Sequence, residues 1–309
     1  MTTDLPAESK RTPRYRRVLS GVVIVAPVVT ALFVVADRFG LAMLWFNLVL
    51  ATTFFFVIGH GVTVGFHRLF THHSFVARRP LKISLALLGS MSFQGSLIGW
   101  VADHRRHHRF SDHPGDPHSP YWIGAEPVSG WRGLWHAHIG WAFRGDATSR
   151  DEYAADLVAD PDLVLVDRLF VPCCALTLGL PFLIGFLWSG TLAGAFAAFV
   201  FAGVIRVGVS HNLTWSINSV CHSFGNRTFR TKDQSSNVAW LAPLTMGESW
   251  HNNHHAFPRS ARHGVDPGQV DTSAVLIRIF ERLGWATNVR WPERSVLDGR
   301  RLVDQHGRA

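Results

Sequence analysis

Cysteine is nearly absent: the 309 residues carry three, Cys173, Cys174 and Cys221, two of them adjacent in an apolar stretch. So few thiols exclude a disulfide-stapled scaffold and a thiolate-built zinc site, and they agree with a reducing compartment. Charge is scarce as well, at 17% of residues, and acid is the scarcer sign: 22 Asp and Glu stand against 30 Lys and Arg, for a formal net charge of +8. Internal repeats, heptads and low-complexity tracts are missing, which excludes solenoids and coiled coils. The basic segment 1–18, with Lys10, Arg11, Arg14, Arg16 and Arg17, lacks the small-residue cleavage site of a signal peptide.

What the chain has instead is long stretches without polarity. Four runs, 19–36, 41–60, 169–188 and 191–209, are apolar nearly throughout. Each is near the length that crosses a hydrocarbon core about 30 Å thick as a helix. None has a polar face, so buried helices of a soluble protein fit poorly. Residues 37–40 join the first two runs, and Ser189 and Gly190 join the last two, so each pair can only be an antiparallel hairpin. The expected fold is an all-α integral membrane protein with four transmembrane helices in two hairpins.

Lys and Arg crowd the first eighteen residues, the segment 64–168 and the chain beyond 210, while the two short turns hold only Arg38. The positive-inside rule then places both termini and the middle segment in the cytoplasm. Head-group contacts account for the basic charge, and no nucleic-acid partner is expected. The run 81–101 is interrupted by Gly89, Gly95, Gly99 and Gln94, so it reads as interfacial helices rather than a fifth span. Asp271 or Thr272 caps a final amphipathic helix with the stripe Val275, Leu276, Ile279, Phe280 and Leu283. The membrane-embedded domain is expected over 19–290, with a basic tail over 291–309.

Histidine is the abundant functional residue, with 18 copies. His104, His107 and His108 form the pattern H-x-x-H-H, His251, His254 and His255 repeat it, and His67 and His72 form a third cluster. A lone histidine is more often a hydrogen-bonded core residue than a ligand, but three clusters at helical spacing reverse that. On a helix, positions i, i+3 and i+4 share a face, so each pattern is expected to aim its rings at one point. Eight imidazoles are too many for one ion. The donor set indicates a dinuclear centre of a redox-capable or Lewis-acid metal, on the cytoplasmic side of the membrane. A polytopic transporter would place polar ligands within the spans, and these offer only Asn47 and Arg206.

In this order, His67-Arg-Leu-Phe-Thr-His72, His104-Arg-Arg-His-His108 and His251-Asn-Asn-His-His255 resemble the histidine boxes of the membrane-bound fatty acid desaturases, acyl-CoA delta-9 (stearoyl-CoA) type, bacterial branch. The flanking stretches around Gly65, Gly99, Asp116-Pro-His-Ser-Pro120 and His138-Ile-Gly-Trp141 are similar too, and the likeness runs over about 20–290. The resemblance implies a cytoplasmic helical cap holding two irons, with dioxygen as co-substrate and no catalytic side chain beyond the metal centre. It implies a cis double bond, delta-9, in a saturated acyl chain. It adds Asn218-Ser-Val-Cys-His222, with His222 as a direct ligand and Asn218 bound through water.

Asp103 and Glu248, next to the second and third boxes, are the carboxylates expected behind the ligand imidazoles. The other histidines, among them His73, His118, His138 and His263, are expected not to be ligands, although His118 and His138 fall in family signatures. Phe66, Phe70, Phe93, Trp100, Trp141, Trp215, Trp240 and Trp250 are candidates to line the acyl cavity. The family's arginine before the second-box aspartate is Ala102 here, and 121–134 is an added segment, so the acyl carrier is coenzyme A or a membrane lipid. Nothing resembles a fused haem-binding domain, so a separate ferredoxin or NAD(P)H-dependent oxidoreductase should supply electrons. A related membrane hydroxylase or ketolase shares the same boxes.

Overall fold

The computed structural model describes residues 41–144 and 147–302. The basic segment 1–18, the expected span 19–36 and hence the first hairpin lie outside the described residues, as does the end of the tail. Three helices among the described residues are long and apolar enough to cross a membrane: Met43–Thr71, Phe170–Ser189 and Leu192–Ser219. Their outer faces carry exposed apolar side chains such as Trp45, Val49, Val171, Leu187, Trp188 and Phe196. Asn47 and Arg206 are turned inward instead, and Arg206 donates to the Thr177 hydroxyl at 2.9 Å and to the Ala202 carbonyl at 3.0 Å. Burial of the charge against other helices is how a membrane span tolerates it.

Two of these helices run further than their hydropathy indicates. The α-helix Leu41–His60 opens into a wider π-helical winding over Gly61–Thr71, all eleven residues of which are buried. The helix that holds the last expected span continues past 209 to Ser219. In the first extension the polar side chains are buried, and in the second His211 and Ser219 are buried while Asn212 is exposed, so the helix continues where hydropathy fades. Phe170–Ser189 turns back through Gly190, in the left-handed conformation at φ 65°, and packs on the next helix where Gly185 meets Gly194 and Ala198.

The run 81–101 is not a fifth span. It forms the helix Arg79–Ser90, the break 91–96 and the helix Leu97–Phe110. The first of these crosses the π-helical segment at backbone contact: a Cβ on Gly61 would lie 2.4 Å from the Gly89 nitrogen, and one on Gly89 would lie 2.3 Å from the Phe66 ring. We expect Gly61→Val to force this crossing apart and destabilise the protein by about 1–3 kcal/mol or more, the usual cost of overpacking. A thermal melt in detergent beside the wild type checks it; an unchanged midpoint would show that the crossing is loose.

Side chains in the segment 150–168 fasten this layer. Asp160 caps the helix Pro161–Arg168 and pairs with Lys82 at 2.6 Å, while Arg79 binds Asp162 at 2.7 Å. The helix Thr272–Arg282 is capped by Asp271, whose carboxylate accepts from the Ala274 N–H at 2.8 Å. Its apolar stripe divides: Leu276 and Phe280 pack on the core, whereas Val275, Ile279 and Leu283 are exposed. Beyond 290 the chain folds back, with Arg301 bridging to Phe229 and the Leu302 N–H donating to the Thr228 carbonyl at 2.9 Å. Strands are two residues long, Val76–Ala77 pairing antiparallel with Ala286–Thr287 and Trp122–Ile123 with Glu126–Pro127.

Candidate metal centre

Three helices and one helix end deliver the imidazoles. His67 lies in the π-helical segment, with His72 just past its end. His104, His107 and His108 lie on Leu97–Phe110; His251, His254 and His255 on His251–Ala256; and His222 follows the last span. They form two groups: His67, His72, His104, His108 and His254 converge in one, His107, His222, His251 and His255 in the other. Each H-x-x-H-H therefore aims at two points, not one. The i, i+4 pairs His104/His108 and His251/His255 stay together and the i+3 ring crosses to the other group. At about 100° per residue, positions i+3 and i+4 diverge enough around a helix to face different centres.

The ring nitrogens are close enough to serve as donors to shared ions. His254 Nε2 lies 3.1 Å from His67 Nε2 and 2.9 Å from His108 Nε2, and His108 Nε2 lies 3.1 Å from His104 Nε2. In the second group His251 Nε2 lies 2.9 Å from His222 Nε2 and 3.0 Å from His255 Nε2. Nitrogens at right angles around an ion, with bonds of about 2.1 Å, would be spaced about 3.0 Å apart.

The carboxylates behind the rings fix which nitrogen faces inward. Glu248 sits 2.6 Å from His67 Nδ1, Asp116 3.0 Å from His107 Nδ1, Asp112 2.8 Å from His222 Nδ1 and Asp233 2.7 Å from His255 Nδ1. Each such Nδ1 is assigned the proton, so each facing Nε2 presents a lone pair. Three lone pairs, from His107, His222 and His255, then converge in the four-imidazole group. The single proton that His251 could turn toward them cannot satisfy all three, whereas a cation can. In the other group His72 Nε2 is buried with no partner among the described residues. The donor chemistry fits metal ions at both groups.

Electrostatics point the same way. Burial, followed by repulsion from neighbouring rings, holds His72, His104, His108, His251 and His254 well below the ordinary histidine range. Burial also lowers His255, to about 4, against the pull of Asp233. His222 is the exception: burial acts against its charged form too, but Asp112, together with Asp116 and Asp233, outweighs it and raises the group. Neutral imidazoles are the metal-binding form.

Glu248, expected beside a ligand imidazole, lies 2.6 Å from His67 Nδ1. Sequence reasoning missed Asp112, Asp116 and Asp233. Asp112 and Asp116 follow the second box within eight residues and had that signal; Asp233 lies in a polar loop and had none. His263, expected not to be a ligand, is buried 3.3 Å from Glu248, and its ring centre lies 4.5 Å from that of His254. The His118 ring centre lies 4.4 Å from that of His107, the rings tilted by 31°. Beneath His67, the fully buried Arg68 binds Glu248 and Asp271, both at 3.0 Å, and the Ala261 carbonyl at 2.8 Å. Burial would raise the Glu248 carboxyl, but His67, Arg68 and His263 hold it well below the usual range. Gly247, at φ 100° with Asp271 against its open face, lets the chain turn so that Glu248 reaches His67.

A cavity of about 90 Å³ connects the spanning helices to both groups. Phe55, Val62, Leu213, Ile217 and Met246 supply apolar walls, and His67, His104, Glu248, His251 and Asn218 stand at its polar end. Of the eight aromatic candidates only Trp100 lines it; its ring stacks on His104 at 5.0 Å, and Gln94, bonded to Thr214 at 2.9 Å, accepts from its N–H at 3.4 Å. The others serve elsewhere: Phe66 is core, Trp240 is exposed, and Trp250 donates to the Val270 carbonyl.

The family model for fatty acid desaturases matches residues 40–266. The chain is 38% identical to the hex-5-enoyl-[acyl-carrier protein] acetylenase of Moorena producens, over 85% of this chain and 84% of that protein. It is 37% identical to the sn-1 stearoyl-lipid 9-desaturase of Anabaena variabilis, over 77% and 81%, and 38% identical to an acyl-CoA C20 Delta5-desaturase of Anemone leveillei, over 75% and 70%.

Proposed function

Because the chain belongs to the fatty acid desaturase family, we propose that it introduces a cis double bond at the delta-9 position of a saturated acyl chain carried as an acyl-CoA, at a site holding two irons on the cytoplasmic side of the membrane. The observation that carries this reading is the apolar cavity that enters from the spanning helices and ends against His67, His104 and His251, rings drawn from both imidazole groups. His67, His72, His104, His108 and His254 would hold one iron. His107, His222, His251 and His255 would hold the other, with Asn218 beside it through water.

Bound there, iron would supply the activation of dioxygen that breaking an unactivated C–H bond requires. The protein's own residues supply position and dryness. Glu248, Asp112, Asp116 and Asp233 hold the imidazoles in register. The apolar walls keep bulk water from the reacting methylenes, and Gln94 ties Trp100 and Thr214 into one side of the cavity. A lipid-bound acyl chain is the second reading, favoured by the lipid-acting relative at 37% identity and by the buried Ala102 just before the second box.

The test is the fatty acid profile of a host lacking its own desaturase, expressing this chain with a reductase system. A new cis-monounsaturated acid with its double bond at carbon nine is the expected result, and purified protein given stearoyl-CoA or stearoyl-lipid separates the carriers. A hydroxylated product would replace this reading with a membrane hydroxylase.

A further inference from the structure

Basic side chains stand over both imidazole groups. Beside the five-imidazole group two are neutralised by carboxylates: Arg105, which donates to the Phe70 and Thr71 carbonyls, is paired to Asp156 at 2.6 Å, and Arg109 is paired to Glu152 at 2.9 Å, while the exposed Arg259 and Arg290 stand near His73. Over the four-imidazole group lies the loop 227–234, which presents Arg227, Arg230 and Lys232. Arg230 and Lys232 are exposed and have no ion pair among the described residues. The Arg227 guanidinium is occupied by Gln234 Oε1 at 3.1 Å and Thr231 Oγ1 at 2.8 Å, neither of them a carboxylate.

The inner face of the same loop touches the site. Asp233 accepts from His255 Nδ1 at 2.7 Å, and the Gln234 N–H donates to Asp112 Oδ2 at 2.7 Å, the same oxygen that faces His222 Nδ1 at 2.8 Å. Two of the four imidazoles are thus joined to the surface by a wall one residue thick, through unbroken covalent and hydrogen bonds. The wall is rigid. Asn252 Oδ1 accepts the Thr228 and Phe229 N–H groups, both at 2.8 Å, and Asp233 Oδ1 accepts from the Ser235 N–H at 3.0 Å.

We infer that this loop is the docking surface for a negatively charged one-electron carrier protein, which delivers electrons to the four-imidazole group through Asp233–His255 and Gln234–Asp112–His222. The inference rests on the desaturase reading. Each turnover takes two hydrogens from the acyl chain and reduces one dioxygen to two waters, which consumes two further electrons and two protons. Two reduced carriers are therefore oxidised, each by one electron. Tunnelling weakens exponentially with distance and favours bonded routes over gaps, so a carrier docked where the wall is thinnest reaches the centre best. Uncompensated cations select an acidic partner and speed its association.

The experiment compares Arg230→Glu/Lys232→Glu, the milder Arg230→Gln/Lys232→Gln and Arg282→Glu, a charge change at an exposed site on another helix, in the full iron-loaded protein in vesicles. Reduced plant-type [2Fe–2S] ferredoxin is one electron source and reduced methyl viologen, a small dication, is the other. Reversal of the two charges should weaken ferredoxin binding to the vesicle-held protein, read by co-sedimentation without turnover, about tenfold or more, raise the KM for ferredoxin to match and flatten its salt dependence. Viologen-driven turnover should stay at the wild-type rate, the glutamine pair should fall between, and Arg282→Glu should match the wild type. An unchanged KM for ferredoxin overturns the inference. So does an equal loss with both reductants, or a loss that follows the anionic-lipid content of the vesicles, which would mark a head-group surface. Wild-type protein that forms no alkene with viologen would instead sink the desaturase reading itself.

Discussion

His254→Ala is expected to lower product formation by at least about a hundredfold, the upper range seen when even an outer partner of a ligating histidine is lost. His254 is fully buried, and its Nε2 is within 3.1 Å of both His67 Nε2 and His108 Nε2, so it links the π-helical segment to the second-box helix. Truncation removes a donor and leaves two lone pairs facing a void. The four-imidazole group keeps every member, so bound iron should fall toward half rather than to zero. Metal analysis beside gel filtration checks this: a folded variant with full iron content would refute the division of ligands between two centres.

Arg68→Leu should produce the largest loss of stability. The Arg68 guanidinium is fully buried between Glu248 and Asp271, at 3.0 Å from each. Its removal strands two carboxylates in the interior, and breaking a buried pair in this way costs about 3–5 kcal/mol. At roughly 2–4 °C per kcal/mol for a chain of this size class, the thermal midpoint should drop by about 10 °C. Arg68→Lys should recover only part of it, because an ammonium lacks the planar fork that serves both carboxylates and the Ala261 carbonyl. Adding Asp271→Asn to Arg68→Leu should restore several degrees by removing one stranded charge. If Arg68→Leu melted at the wild-type temperature, the network would be incidental.

Much of the candidate site was readable because imidazoles delivered by helices leave a periodic trace. The three boxes and His222 all reach the two groups. The nearness of His263 to Glu248 left no trace in the sequence because the ring approaches from a loop, nine residues past His254, and the chain must return before the two can meet. Asp233 escaped for the same reason. Glu248 stood out because it lies three residues before His251, although its ring partner proved to be His67, 181 positions earlier.

The sequence by itself determined the class of the molecule. Apolar runs long enough for a bilayer and imidazoles at helical spacing are local properties, set by the hydrophobic effect and by the 3.6-residue turn. The family's boxes carried the rest of that reading. Tertiary structure alone decided which ring belongs to which group, which carboxylate stands behind which imidazole, and how far the spanning helices extend. Those facts depend on packing between segments distant in the chain: the Gly61–Gly89 crossing, Arg68 between Glu248 and Asp271, and the loop 227–234 folded over His255 and His222. No local periodicity records such contacts, because each is fixed by where two separate elements meet.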